Sequence, residues 1–339
     1  MKVLVTGGAG FIGSNLVHFL LDERPEWKVY ALDALTYAGN LENLEKCRSN
    51  YNFSFRKLDI TNEEDVNEFF EEKKFDLVFH LAAESHVDRS NYSALPFVNT
   101  NVLGTVNLLN ATIANKVSRF VHISTDEVYG SLGPSGSFFE TTPINPTNPY
   151  AASKAGSDLM VLSYVKTHKL DAVITRCTNN YGPFQFPEKF IPLFVTNALE
   201  DKKLPLYGDG MNVRSWIHVL DHCRALLCIA EKGRAGEVYN VGGFKDGEKP
   251  NRDVAIKILE ILSKPESLLH FVADRPAHDR RYSVDSTKLR TELGWEPIVP
   301  MEQGLVDTVE WYVNNKEWWQ KIKSGEYLDF YDMHYGKEE

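Results

Sequence analysis

The segment "VTGGAGFIG", residues 5–13, constrains the chain more than any other. Gly7, Gly10 and Gly13 fall where an apolar run stops and a helical period starts. Glycines there allow a tight turn and let backbone N–H groups approach a pyrophosphate at a helix N-terminus. A glycine triplet alone says little. Its place at the first strand–helix junction, with Asp33 twenty residues beyond Gly13 at the end of a second apolar run, makes it a dinucleotide signature. A carboxylate in that position binds a ribose 2′-hydroxyl and repels a 2′-phosphate, so the expected cofactor is NAD.

The pattern repeats. Apolar runs at 3–6, 28–32, 53–57, 77–80 and 120–123 alternate with helix-like stretches near 12–22, 62–73 and 96–116. A helix from 148 or 149 to about 169 and a strand over 172–176 follow. Strands buried on both faces with helices between them predict an α/β fold, a Rossmann-type doubly wound parallel sheet. Beyond 177 proline and glycine become frequent and the elements shorten, which predicts a smaller mixed α/β region. The expected division is a cofactor-binding domain over 1–177 and a substrate-binding part over 178–339, with some segments returning to the first domain. In this frame Asp59 and Ile60, after the third strand, line the adenine. Leu81, Ala82, Ala83 and Ser85, after the fourth, line the cofactor.

Bulk properties narrow the partners. A net charge of −10 provides no global field for a nucleic-acid backbone. No apolar run approaches the roughly 18 residues of a membrane span, and "MKVLVTGG" has no basic region followed by an apolar one, so a cytoplasmic chain is expected. Four cysteines without paired spacing fit a reducing compartment. His80, His86, His122, His218 and His222 lack metal-ligand spacing and read as structural; no metal is expected.

Two motifs carry chemistry. In "HISTDEVYG" a buried strand runs into Ser124, Thr125, Asp126 and Glu127. Adjacent carboxyls at the mouth of an apolar strand raise each other's pKa, and burial separates them, so one can serve as acid and the other as base. Which is which stays open at this level. In "NPYAASK", Tyr150 and Lys154 lie four apart on one helix face. The lysine's charge is expected to lower the phenol's pKa, readying it to accept a proton from a sugar hydroxyl.

Together with "TGGAGFIGSN", "LAAESHVDRS", "NNYGPFQFPEKFIP", "DRPAHDRRY" and "SGEYLDFYDMHYG", these motifs make the chain resemble the extended short-chain dehydrogenase/reductase family. Within it they resemble the nucleotide-sugar 4,6-dehydratases. The resemblance implies a tightly bound NAD regenerated at each turnover, and adds Phe11, Ile12, Leu35, Thr36, Thr100, Tyr150, Lys154 and Asn180 to its contacts. It implies C4 oxidation of a nucleotide hexose, dTDP-glucose above all, then loss of water across C5–C6 and return of hydride to C6. Glu127 becomes the C5 base and Asp126 the acid for the leaving oxygen, while Thr125 binds the C4 oxygen with Tyr150. Ser85, Thr125 and Asn179 are expected at the substrate, with Lys189 and Phe190 along its nucleotide. Pro205, Leu206, Tyr207 and Asn251 are expected at the nucleotide and Arg214 on its diphosphate, with Asp274, Arg275 and His278 as further substrate contacts. Ser215 and Ala277 depart from the family's usual Asp and Gly.

The same resemblance implies a homodimer through a four-helix bundle, using faces such as Val102, Val106 and Leu109 or Leu159, Leu162 and Val165. The expected role is deoxysugar and surface-polysaccharide synthesis. Alternatives are a UDP-glucose dehydratase or a 4-epimerase of the same family, and a non-catalytic NAD-sensing protein. The last has no use for a complete Thr125/Asp126/Glu127/Tyr150/Lys154 set.

Overall fold

The computed structural model describes residues 1–274 and 278–324. Arg275, Ala277 and the "GEYLDFYDMHYG" tail therefore lie outside the described residues.

Seven strands form the central sheet: β1 Lys2–Thr6, β2 Lys28–Asp33, β3 Phe53–Lys57, β4 Leu77–His80, β5 Arg119–Thr125, β6 Ala172–Cys177 and, after three strands elsewhere, β10 Val238–Val241. Their order is β3-β2-β1-β4-β5-β6-β10, with every neighbouring pair parallel. This is the doubly wound sheet expected from the alternating runs. Alternate residues of each strand serve opposite faces. Val3, Val5, Val29, Ala31, Val121 and Val173 join one core with Leu16, Val17 and Leu20 of the helix Phe11–Glu23. Leu4, Leu32, Val78, Phe120 and Ile174 join another with Phe69 and Phe70 of the helix Glu63–Lys73.

Strand order reverses between β1 and β4, and there the carboxyl ends of the strands open a crevice. The fifth strand is longer than its apolar run. It extends two residues through Ser124 and Thr125, because both pair in register with Arg176 and Cys177 of β6. The expected helix over 96–116 is also modified. It starts at Leu95, widens into a π-helical turn over Val98–Leu103 and continues as Gly104–Ala114. Such turns shift side-chain direction, and they recur at functional sites.

Past β6, the chain builds β7 Asn179–Tyr181, β8 Leu204–Tyr207, β9 Val213–His218, β11 Glu248–Pro250 and β12 Leu269–Val272. These make a three-stranded sheet, β11-β9-β7, and a two-stranded one, β12-β8. A separate core fills this region, with Trp216, Leu305, Val309, Tyr312 and Trp319 among its members. The aromatic helical tail thus packs inward, and Trp318 Nε1 donates to Asn43 Oδ1 at 2.9 Å.

The long helix Pro149–His168 packs beside the π-turned one. Leu95, Val98, Leu103 and Leu159 remain 66, 47, 47 and 57% exposed. Leu109 corrects the expected outer face: it is fully buried in the core on that side of the sheet, and Val102, Val106, Leu162 and Val165 are half-buried. Among the described residues, no helix is long and apolar enough to cross a membrane.

Candidate active site

One cleft at the strand-order reversal gathers most of the candidate residues. Its lining includes Gly7, Gly10, Phe11, Ile12 and Gly13 from the first turn, Asp33 and Thr36 after β2, and Asp59 and Ile60 after β3. Leu81, Ala82, Ala83 and Ser85 follow from β4, with Thr100 from the π-helical turn. Thr125, Asp126, Glu127, Tyr150, Lys154, Asn179, Asn180 and Lys189 complete it. Leu35 is not in the lining; its N–H donates to Asp33 Oδ1 at 2.8 Å and its φ is +57°.

The glycine turn is built for close approach. Gly7 has φ +67°, and a Cβ there would stand 2.8 Å from the Ala82 nitrogen. A Cβ on Gly13 would meet the Gly7 carbonyl oxygen at 2.0 Å. The helix Phe11–Glu23 therefore starts hard against the turn and aims its free N–H groups at the cleft. Asp33 is buried and its carboxyl is pushed up by that burial, partly offset by the Ala9 and Leu35 N–H groups. With an anion cradle at one end and an acid for a ribose at the other, the residues present fit a dinucleotide.

The reacting end is set by the tip of β5. Thr125 caps the tight turn Asp126–Tyr129, its Oγ1 accepting from Glu127 N at 3.2 Å. Asp126 is 2% exposed, and its Oδ2 is buried without a partner. Burial first, and the Glu127 charge second, push its carboxyl up to about 7. Glu127 is only half-buried, and Asn148 Nδ2 donates to its Oε2 at 3.3 Å. The same Asn148 caps the helix Pro149–His168, its Oδ1 accepting from Ala151 N at 2.9 Å. Asparagine at the N-cap followed by proline at the first position is a strong helix start, so the residue that holds Glu127 also sets Tyr150.

The tyrosine corrects an expectation. Its phenol is held well above the usual value, by burial and then by the Glu127 charge, with a Thr125 hydrogen bond acting the other way. Lys154 does not spend its ammonium on the phenol: its Nζ donates to the Ile123 carbonyl at 2.7 Å, and burial pushes it down to about 8. A phenol in a pocket with two carboxyls needs a further positive charge to ionise. An oxidised nicotinamide ring carries one, a second point of fit to NAD.

Several contributors escaped the sequence reading. Asn148 is one, although its N-cap signal was readable. Thr178, whose hydroxyl donates to the Ser215 carbonyl at 2.7 Å, also lines the cleft and opposes the rise of the Asp126 carboxyl. Asn101, on the π-helical turn, bonds Glu84 through both backbone groups and reaches Ser153 Oγ at 2.8 Å. The histidines act as supports: His80 bridges Thr6 and Thr105, and His222 Nδ1 bonds Asn180 Oδ1 at 2.9 Å. Burial holds His122 at about 4 and His222 at about 3, so both stay neutral. No metal-ligating cluster occurs among the described residues.

The expected nucleotide contacts are more scattered. Ser85, Thr125, Asn179 and Lys189 line the cleft, and Lys189 Nζ donates to Ser85 O at 3.0 Å. Phe190, Pro205, Leu206, Tyr207, Arg214, Asn251, Asp274 and His278 are not in its lining. Phe190 packs on Phe194 with ring centroids 4.2 Å apart, and Leu206 is 1% exposed in the second core. Arg214 lies over the Tyr282 ring at 4.4 Å, close enough to Asp126 to oppose the rise of its carboxyl. His278 pairs with Asp274, and its ring meets Tyr207 edge-on. Asn251 N donates to Asn212 O at the start of a helix.

The model of a family described as GDP-mannose 4,6 dehydratase matches residues 4–308. The chain is 49% identical to a dTDP-glucose 4,6-dehydratase of Streptomyces niveus over 96% of each chain. Among solved structures, a Streptomyces venezuelae dTDP-glucose 4,6-dehydratase with NAD bound is 49% identical at a TM-score of 0.92. The Bacillus anthracis enzyme of that name in complex with NAD is 48% identical at 0.89. Each comparison covers 95% of this chain and the whole of the other.

Proposed function

The chain belongs to the GDP-mannose 4,6 dehydratase family, and from that premise we propose that it is an NAD-dependent hydro-lyase converting dTDP-glucose to dTDP-4-keto-6-deoxyglucose and water. One observation carries the chemistry: a buried carboxyl raised to about 7 stands beside a half-exposed carboxylate held by an amide. Epimerisation at C4 has no use for that pair, whereas dehydration needs both a proton donor and an acceptor.

Gly7 to Gly13, Asp33, Asp59 and the segment after β4 hold the dinucleotide. Bound NAD accepts hydride from C4 and returns it at C6, so the net reaction is redox-neutral. Tyr150 takes the C4 hydroxyl proton while Thr125 hydrogen-bonds that oxygen, and Lys154 keeps a positive charge beneath them. The ketone at C4 acidifies the C5 proton, which Glu127 removes and which is replaced at C5 when hydride reaches C6. Asp126 gives its proton to the C6 hydroxyl, which departs as water. Asn179 binds the substrate, and Lys189 lies along its nucleotide. Arg214 and Arg275 supply charge for the diphosphate in an otherwise acidic protein, with His278 as a further substrate contact.

Residues 1–177 form the cofactor part and 178–339 mainly the nucleotide-sugar part, with β10 pairing back onto β6. The exposed Leu95, Val98, Leu103 and Leu159 support a homodimer, in which a second copy of the same helix pair would cover them. The place of action is the cytoplasm, in deoxysugar synthesis such as that of rhamnose, and in surface polysaccharide.

The test offers dTDP-glucose, UDP-glucose and GDP-mannose separately to the purified protein and assays the alkaline chromophore of a 4-keto-6-deoxy product. Product from dTDP-glucose is expected. Product from UDP-glucose alone would reassign the nucleotide, and no product from any of the three would refute the reading.

A further inference from the structure

We propose that Asp279 is a positioning residue for the C5 base: through Thr147 it fixes the segment whose Asn148 holds Glu127, and it ties that segment to the strand bearing Arg214. This rests on the dehydratase reading of the site.

Asp279 is 7% exposed and accepts four hydrogen bonds. Its Oδ2 takes the Thr147 hydroxyl and the Tyr282 phenol, both at 2.5 Å. Its backbone carbonyl takes Arg214 Nη2 at 3.0 Å and Asn212 Nδ2 at 3.2 Å. Thr147 directly precedes Asn148, whose amide donates to Glu127 Oε2 at 3.3 Å. One residue therefore joins β9 to Glu127, its backbone carbonyl holding Arg214 and its carboxylate holding Thr147, which lies 132 residues away in the chain.

Folding alone does not call for this. A buried carboxylate costs more than an apolar closure of the same gap unless its hydrogen bonds are all made. Hydroxyl-to-carboxylate bonds are among the stronger and more directional ones, which suits holding a loop in register rather than only filling space. The chain of contacts ends on an atom of the group that takes the C5 proton. The same Asn148 side chain also caps the helix of Tyr150, but that cap is a 2.9 Å bond from Ala151 N made within one helical turn, whereas its amide reaches Glu127 at 3.3 Å across 21 residues, so the longer contact is the one that yields when the Thr147 bond is lost. Loss of the Thr147 bond should therefore loosen the base and spare the alcohol oxidation.

The test uses the full chain with NAD and dTDP-glucose, and compares Thr147→Val, Thr147→Ser, Asp279→Asn and, as control, Glu127→Gln. The absorbance of reduced nicotinamide in the first turnover reports C4 oxidation. Deuterium entering C5 from the solvent reports the base step. Thr147→Val should slow the base step about 10- to 100-fold with C4 oxidation at the wild-type rate. Thr147→Ser should restore it, and Asp279→Asn should fall between, since the amide oxygen still accepts. Equal slowing of both steps, or of neither, with Glu127→Gln blocking the base step, overturns the inference alone. If Glu127→Gln leaves the base step intact, the reading of the site falls and the inference with it.

Discussion

Replacing Asp126 by Asn separates its chemistry from its shape. The carboxyl is almost wholly buried, has one oxygen without a partner and is raised to about 7. Near neutrality, then, a large fraction carries the proton that the leaving C6 oxygen must receive. An asparagine keeps the volume and can donate a hydrogen bond but cannot transfer a proton. Loss of general-acid assistance is worth about 10²- to 10⁴-fold, or about 3 to 5 kcal/mol of barrier. Turnover should fall by that factor, and reduced nicotinamide should accumulate after mixing with dTDP-glucose, because C4 oxidation does not use this group. The pH profile gives a second readout. The acid works only while protonated, so wild-type activity should decline as pH rises through about 7, and the variant's residual rate should lose that limb. Stability should fall in the same direction: a carboxyl raised by folding costs the native state as pH climbs from its ordinary value, 3.8, toward 7. Asp126→Asn should therefore melt higher than wild type at pH 8 and about equal to it at pH 4. Unchanged turnover, or an unchanged limb near 7 in the variant, would refute the acid assignment.

Three further outcomes are expected. Gly13→Ala places a methyl group 2.0 Å from the Gly7 carbonyl; it should cost about 3 kcal/mol or more and release NAD, read by thermal melting and the absorbance of the purified protein. Lys154, pushed down to about 8, must stay protonated to serve; activity should show a second alkaline limb near that pH, and Lys154→Met should lose both that limb and C4 oxidation. Leu159→Asp with Leu103→Asp, both on the exposed helix face, should give a monomer by sedimentation with an unshifted far-ultraviolet spectrum.

The sheet was readable because each of its first six strands is a local apolar run, and both the glycine turn and Asp33 sit at fixed offsets from those runs. The acid pair and Tyr150/Lys154 were readable for the same reason: their spacing is short. What could not be read are contacts whose partners lie far along the chain. Asn148 holds Glu127 across 21 residues, and Asn101 reaches Ser153 across 52. A polar residue in a loop looks alike whether solvated or engaged. Direction is equally hidden, since an i,i+4 pair fixes a shared face but not where the ammonium ends, here the Ile123 carbonyl. Apolar motif residues suffer most. Pro205 and Leu206 belong to a recognisable segment, yet their side chains are buried in β8, so any nucleotide contact there falls to backbone atoms.

Neighbouring residues acquire opposite environments through the turn that carries them. Asp126–Tyr129 is a tight helical turn of about three residues per revolution, so successive side chains point about 120° apart. That rotation drives Asp126 inward beneath the tip of β5 and leaves Glu127 at the wall of the cleft, where Asn148 can reach it. Burial then withholds solvent from the first carboxyl, and the charge on the second raises it further. Exchanging the pair, Asp126→Glu with Glu127→Asp, should thus keep both acids and abolish dehydration. The longer arm would be forced into the closed pocket, and the shorter one would fall about one methylene short of the proton it has to take.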